Sequence, residues 1–422
     1  MKKLLVAILC LTMFLSMASA ASAAEANVIE FWTFAESHVD LYKVMAEKWN
    51  AEFPDKPIEL SVSVMPYDDM HNKLLIALQS GEGAPDMVDI EIGKFANFLK
   101  GEPQLLPLNR VVEPELDNIV RSRVDIYSKD GNFYGICFHV GAAVIYYNDA
   151  LLKEAGIDYT TIKTWDDYAQ AGAKFLEATG KPFGTVETTD LWHFEPLVFS
   201  QGGDILNKED GTPNIDSPEV KKALAFNQDL IQKGILALAP GGNHHAEEYY
   251  GMMNAGSYGS VIMPMWYMNR FTDYMPDLSK QIAIAPLPVW EEGQPRSVGL
   301  GGTGTAVTNQ ATNPDLTMDF LAYTKLSKEG NVQVWKVLGF DPIRSEVWSM
   351  PELRDGDTKF HQYYVNNPFD VLMEIKDEIP AITVSEFLPP TSDALKNNVF
   401  FRAYEEMADL DTMLPEENAK VK

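Results

Sequence analysis

Val28-Ile29-Glu30-Phe31-Trp32-Thr33-Phe34 opens the stretch on which the fold turns, and it reads as a buried β-strand. Leu41, Val44, Met45, Trp49 and Phe53 then recur at helical spacing, and Pro54 stops that helix. Ile58 to Val64 reads as the next strand. An amphipathic helix follows through Met70, Leu74, Leu75 and Leu78 to Gly81. Met87-Val88-Asp89-Ile90 is a third strand, and Phe95 to Leu99 begins another helix. Strand, helix, strand, helix, strand predicts an α/β fold, a parallel sheet with helices on both faces.

Outward from this stretch the α/β character continues. Thr164-Trp165-Asp166-Asp167 predicts a helix start in which Thr164 caps and Asp167 reaches back. Asp216-Ser217-Pro218-Glu219 predicts another, with Pro218 at the first helical position. No repeat of solenoid period and no low-complexity linker occurs. Two lobes joined by crossing strands are therefore expected, since roughly 400 residues exceed what one core serves.

The N-terminus sets the compartment. Lys2 and Lys3, an apolar run from Leu4 to Met17, and small residues at Ala18-Ser19-Ala20 and Ala21-Ser22-Ala23 read as a signal peptide over residues 1–23. The run is short for a membrane span, and none of spanning length follows, so a soluble exported protein is expected. Cys10 lacks the small residues and the longer upstream run that lipidation needs. Cys137 is then the one cysteine of the mature chain, which excludes an intrachain disulfide. Its apolar setting reads as a buried, inert thiol. With 34 basic and 61 acidic residues the formal charge is −27, a surface that repels nucleic acid and anionic lipid.

Signatures of enzymes are missing. There is no G-x-S-x-G elbow, no phosphate loop and no H-E-x-x-H helix. Gly301-Gly302-Thr303-Gly304 reads as a lobe-crossing turn or a backbone contact to ligand. His244-His245 with Glu247 and Glu248 reads as a solvated loop rather than a metal site, because adjacent residues point apart. Neither a metal, a cofactor nor a catalytic residue is expected.

Several landmarks stand in order along the chain. Phe31-Trp32-Thr33-Phe34 ends the first strand, Gly83-Ala84-Pro85-Asp86-Met87-Val88 precedes the third, and Gly135 to Asn148 ends Ile145-Tyr146-Tyr147-Asn148. Thr164-Trp165-Asp166-Asp167, Gly251 to Gly256 with Met263-Pro264-Met265-Trp266, Ala285-Pro286-Leu287-Pro288, Gly299 to Gly304 and Leu338 to Arg344 follow. In this order they resemble the extracellular solute-binding proteins of the maltose-binding type, the sugar receptors of bacterial ABC importers. Pro264 departs from the family's glycine before its tryptophan.

The resemblance implies a two-lobed periplasmic-binding-protein fold with three interlobe crossings, near residues 140, 290 and 343. It places residues 24–139 and 290–342 in an N-terminal lobe and 140–289 and 343–422 in a C-terminal lobe. A carbohydrate would lie in the cleft, captured by a monomeric, periplasmic or surface-associated protein and delivered to a membrane permease. A receptor for a non-sugar solute, such as a polyamine, a phosphate ester or iron, and an extracellular glycan-acting enzyme are the alternatives.

Sugars present apolar C–H faces and a rim of hydroxyls, which aromatic rings and polar groups take up. Trp49, Trp165 and Trp335 read as packing residues, and Trp290 as ambiguous. Trp266 falls on the family's cleft tryptophan, and Asp190, Trp192 and His193 on a segment that carries an acid and an aromatic to the sugar. Glu91 is a candidate because it sits just past a strand end, where open α/β sheets place ligands. Along the first strand successive residues face opposite sides, one core and one open to the cleft, which makes Trp32 and Phe34 candidates, with Glu36 beyond them. His139 near the first crossing, Arg344 and its planar donor fork, and Trp348 past the third crossing complete the set.

Overall fold

The computed structural model describes residues 26–421, so the signal-peptide reading of residues 1–23, Cys10 included, lies outside the described residues. β1 (Asn27–Thr33), α1 (Glu36–Glu52), β2 (Ile58–Val64), α2 (Tyr67–Ser80), β3 (Met87–Glu91) and α3 (Ile92–Phe98) follow the order read from the sequence. α2 ends where Gly81 turns to φ +80, a left-handed conformation that glycine takes without strain. β1 lies between β2 and β3 and runs parallel to both. Met87 to Ile90 are fully buried, as befits a strand covered on both faces.

The chain continues through β4 (Ile136–Cys137), β5 (Ala143–Asn148), α4 (Trp165–Thr179), β6 (Gly184–Val186), α5 (Pro218–Gln232), β7 (Leu236–Leu238), β8 (Ser260–Pro264), β9 (Ile282–Ala285), β10 (Thr303–Val307), α6 (Pro314–Lys325) and α7 (Leu388–Ala394). The helix starts are those expected. Thr164 accepts from the amide of Asp167 while Asp167 accepts from that of Thr164, a complete capping box. Ser217 caps α5 with Pro218 at its first position.

Two lobes result, each built on its own sheet. The first sheet has the order β2-β1-β3-β10-β4. It is not wholly parallel, because β10 returns from the second lobe and pairs antiparallel with both β3 and β4. The second lobe holds the antiparallel sheet β8-β5-β9 and the parallel pair β6-β7.

Three chain segments pass between the lobes and are bonded to one another. His139 pairs with Pro342 and Ala142 with Gly299. The Asp341 carboxylate accepts from the amide of Ala142 at 2.9 Å. Arg123, fully buried, donates to the carbonyl of Gly299 at 3.0 Å and to that of Gly301. Gly141 has φ +66, and a Cβ there would stand 2.1 Å from the carbonyl oxygen of Leu300, so only glycine fits. Residues 298–302, rather than those near 290, are the segment bonded to the first crossing, with the amide of Ala143 donating to the carbonyl of Val298 and that of Leu300 to the carbonyl of Gly141. Val289 still pairs with Thr164, and Arg296 is bound to Glu374 and Glu378, all in the second lobe. Among the described residues no helix is long and apolar enough to cross a membrane.

Candidate functional site

A cavity of about 510 Å³ opens between the lobes. On the first lobe its wall is set by the end of β3. Glu91 is the last residue of that strand and the N-cap of α3, where its carboxylate accepts the amide of Gly93 at 2.7 Å. Tyr67, at the start of α2, donates its hydroxyl to the same oxygen at 2.9 Å. The Glu91 amide donates to Nε2 of His71, which fixes that ring nitrogen as an acceptor. Burial raises the Glu91 carboxyl, with Asp190 across the cleft adding to the rise, while the bonds from Gly93 and Tyr67 oppose it.

On the second lobe the loop after β6 carries Asp190, Trp192 and Glu195 into the cavity. Asp190 is pushed up to about 6, by burial first and then by the negative charge of Glu187. Glu195, 7% exposed, lies well above the usual carboxylate range for the same first reason, with Asp204 and Asp190 adding to it. The Trp192 ring lines the cavity and meets Trp266 edge-on, with centroids 5.1 Å apart at 84°. Trp266 stands behind it, half-buried, donating Nε1 to the carbonyl of Leu300 at 3.2 Å. His245 stacks on the Trp266 ring at 5.6 Å and 14°.

Gly301, in the second crossing, closes this corner. It has φ +64, and a Cβ there would lie 3.3 Å from Trp266 Nε1 and 3.4 Å from the Trp192 ring. The third side comes from the C-terminal part of the chain. α7 and the π-helical turn Leu395–Val399 that continues it contribute Ser392, Asp393 and Lys396. Lys396 eases the burden on Asp190 and Glu195. Beyond the cavity, Lys100 at the end of α3 reaches Glu386 ahead of α7 at 3.2 Å, an exposed pair joining the rims.

The structure thus brings together Glu91, Asp190 and Trp192, with Trp266 directly behind. The other expected residues stand elsewhere. His193 is buried with Nδ1 taken up by the amide of Glu187, because in the turn after Trp192 its side chain points inward. Trp32 is covered by Lys73, whose Nζ lies 4.1 Å over its ring. Phe34 packs edge-on against Tyr67 and lies behind it, away from the cavity wall. Glu36 begins α1 and faces solvent. His139 is locked in the first crossing against Phe340. Arg344 spends its fork on Glu115, Glu346 and the carbonyl of Leu326. Trp348 is 1% exposed and donates to the carbonyl of Pro342, so it is core. His244, expected in a solvated loop, is buried and bonded to Thr185, while His245 is partly buried and stacked on Trp266.

Tyr67, Glu195 and Lys396 were not anticipated. Glu195 stood within reach in Thr188 to Glu195. Tyr67 and Lys396 give no local signal, since only packing brings their helices to the cavity. Among the described residues no cluster of three or more His, Cys, Asp or Glu side chains is arranged to hold a metal ion. An aromatic face, carboxyls that can accept hydroxyl protons, and backbone groups at a crossing make a site for a polyhydroxylated ligand.

Residues 35–328 match the model of the family described as bacterial extracellular solute-binding protein. The arabinooligosaccharide-binding protein of Halalkalibacterium halodurans is 49% identical over 376 residues, 89% of this chain and 84% of that one. The arabinooligosaccharide-binding protein of Bacillus subtilis is 44% identical over 413 residues, 96% and 95% of the two chains. The solved structure of the sugar-binding protein MalE from Xanthomonas citri has a TM-score of 0.77 over 94% of this chain and 96% of that one, at 18% identity.

Proposed function

This chain belongs to the bacterial extracellular solute-binding protein family, and from that premise we propose that it is the substrate-binding component of an ABC importer that captures an oligosaccharide of the arabinooligosaccharide class. The interlobe cavity lined by Trp192, Asp190 and Glu91, in a chain 49% and 44% identical to two arabinooligosaccharide-binding proteins, carries this reading. A sugar ring lays its C–H face on Trp192, and its hydroxyls donate to Asp190 and Glu91. Contacts from both lobes at once exist only when the lobes are closed, so the ligand selects the closed form. The first lobe takes the chain up to the first crossing and from β10 to the third crossing; the second lobe takes the rest. The exported receptor then passes its cargo to a membrane permease. It binds and does not cleave.

A thermal-shift screen of the exported chain against arabinooligosaccharides, maltooligosaccharides, a polyamine and a phosphate ester tests this. Ligand at a hundred times its Kd stabilises the fold by about 2.7 kcal/mol. The expected result is a raised Tm with arabinooligosaccharides above all others, and no cleavage products after incubation. A shift confined to the polyamine, or the appearance of cleaved saccharide, overturns the reading.

A further inference from the structure

Glu187 follows β6 and is completely buried. Its Oε2 accepts the amide of His193 at 3.2 Å, and its Oε1 the amide of His244 at 3.0 Å. The imidazoles of His193 and His244 lie 3.8 and 3.6 Å from the carboxylate, yet neither is a cation. Burial lowers His193 to about 3 and His244 well below its usual value. Moreover, Nδ1 of His193 accepts the amide of Glu187 itself at 3.0 Å and so carries no proton there. The carboxylate therefore serves the backbone amides of two loops that are far apart in sequence.

Each loop places an aromatic next to the bonded amide. Trp192 immediately precedes His193, and His245 immediately follows His244. Trp192 and Trp266 meet edge to face, while His245 stacks on the Trp266 ring. Two of the aromatic neighbours of the Trp266 ring are thus tied to the two oxygens of one side chain. Tyr267 adds a bond from its hydroxyl to the carbonyl of His244, joining the end of β8 to the same point.

We propose that Glu187 is the positioning residue of the cleft's aromatic wall: its carboxylate locks the Trp192 loop to the His245 loop and sets the angle at which Trp192, backed by Trp266, meets a sugar. This rests on the reading of the cleft as a saccharide site. A carboxylate suits the task because both of its oxygens only accept. Glutamine has the same shape but turns an NH₂ toward one of the two amides, so one loop is released. Aspartate is a methylene shorter and cannot span both.

The test uses protein labelled with 5-fluorotryptophan, whose eight tryptophans are resolved by fluorine NMR, with Trp192 and Trp266 assigned through Trp192→Phe and Trp266→Phe. In ligand-free Glu187→Gln the Trp192 and Trp266 resonances are expected to shift or broaden while those of Trp49, Trp335 and Trp348 stay. The Kd for an arabinooligosaccharide is expected to rise at least tenfold. Resonances that move without loss of affinity, or affinity lost with all resonances in place, overturn the proposal. If Glu187→Gln does not fold, the same two readouts are taken on Glu187→Asp. If neither folds, Glu187 serves the fold rather than the wall, and the proposal falls. Wild-type protein that binds no saccharide counts against the saccharide reading instead, and the fluorine spectra alone then decide the positioning role.

Discussion

Replacing Trp192 by alanine separates a binding surface from a packing residue. The ring lines the cavity and is half-buried, and it forms a T-shaped pair with Trp266. An aromatic pair of this kind contributes about 0.5–1.5 kcal/mol beyond burial, so the ligand-free protein should lose only about 1–2 kcal/mol. In the complex the same ring is covered by sugar and sits at the centre of the contact. Truncation there belongs to the range of about 2–4 kcal/mol found at interface hot spots, a rise in Kd of roughly 30- to 700-fold. Trp348→Ala is the opposite case. That ring is 1% exposed, and its loss should cost about 3–5 kcal/mol of stability while the folded fraction binds normally. Urea unfolding of the empty proteins and calorimetric titration of the same preparations give both quantities. A Trp192→Ala protein destabilised like a core mutant but with wild-type affinity would refute the assignment of the aromatic wall.

Trp266→Ala should show both effects, since it gives up the bond to the Leu300 carbonyl as well as the contact with Trp192, and the same two measurements check it. Cys137→Ser should leave affinity within about threefold, because a hydroxyl can take over the contacts of the buried thiol to Tyr127 and the His139 carbonyl. Asp341, held by burial at about 7 in the fold, ionises at its ordinary value in the unfolded chain, so its contribution to stability is present at low pH and lost as pH rises through about 7. Asp341→Asn lacks that loss, and its Tm advantage over the wild type should widen between pH 4 and pH 7 and then level off; a gap that narrows over this range contradicts the assignment. Small-angle scattering should show a smaller radius of gyration at saturating saccharide, because three bonded crossings make a hinge between rigid lobes.

Much of this architecture was legible because it is local. The alternation from Val28 to Leu99, the capping box at Thr164 and the proline start at Pro218 each depend on residues within a few positions of one another. Glu91 was found by a rule about strand ends, and Asp190 and Trp192 through the family segment they match. What failed depends on packing between distant segments. Trp348 and Arg344 follow the third crossing closely in sequence, yet both turn inward, one onto Pro342 and the other onto Glu115 and Glu346. His244 and His245 did point apart as adjacent residues must, but one into the core and the other onto the Trp266 ring rather than into solvent. The antiparallel β10 was hidden because a strand's direction in a sheet depends on where the chain returns from. Nothing near Glu187 in sequence announces that His244 will come to meet it.

The central claim is that the cleft holds one arabinooligosaccharide, and calorimetric titration of the exported chain with arabinooligosaccharides of graded length tests it most directly. Saturable binding of one saccharide per chain, abolished or weakened at least tenfold by Trp192→Ala, is the predicted result. Tight binding that Trp192→Ala leaves unchanged, or no binding of arabinooligosaccharides where maltooligosaccharides bind, would contradict it.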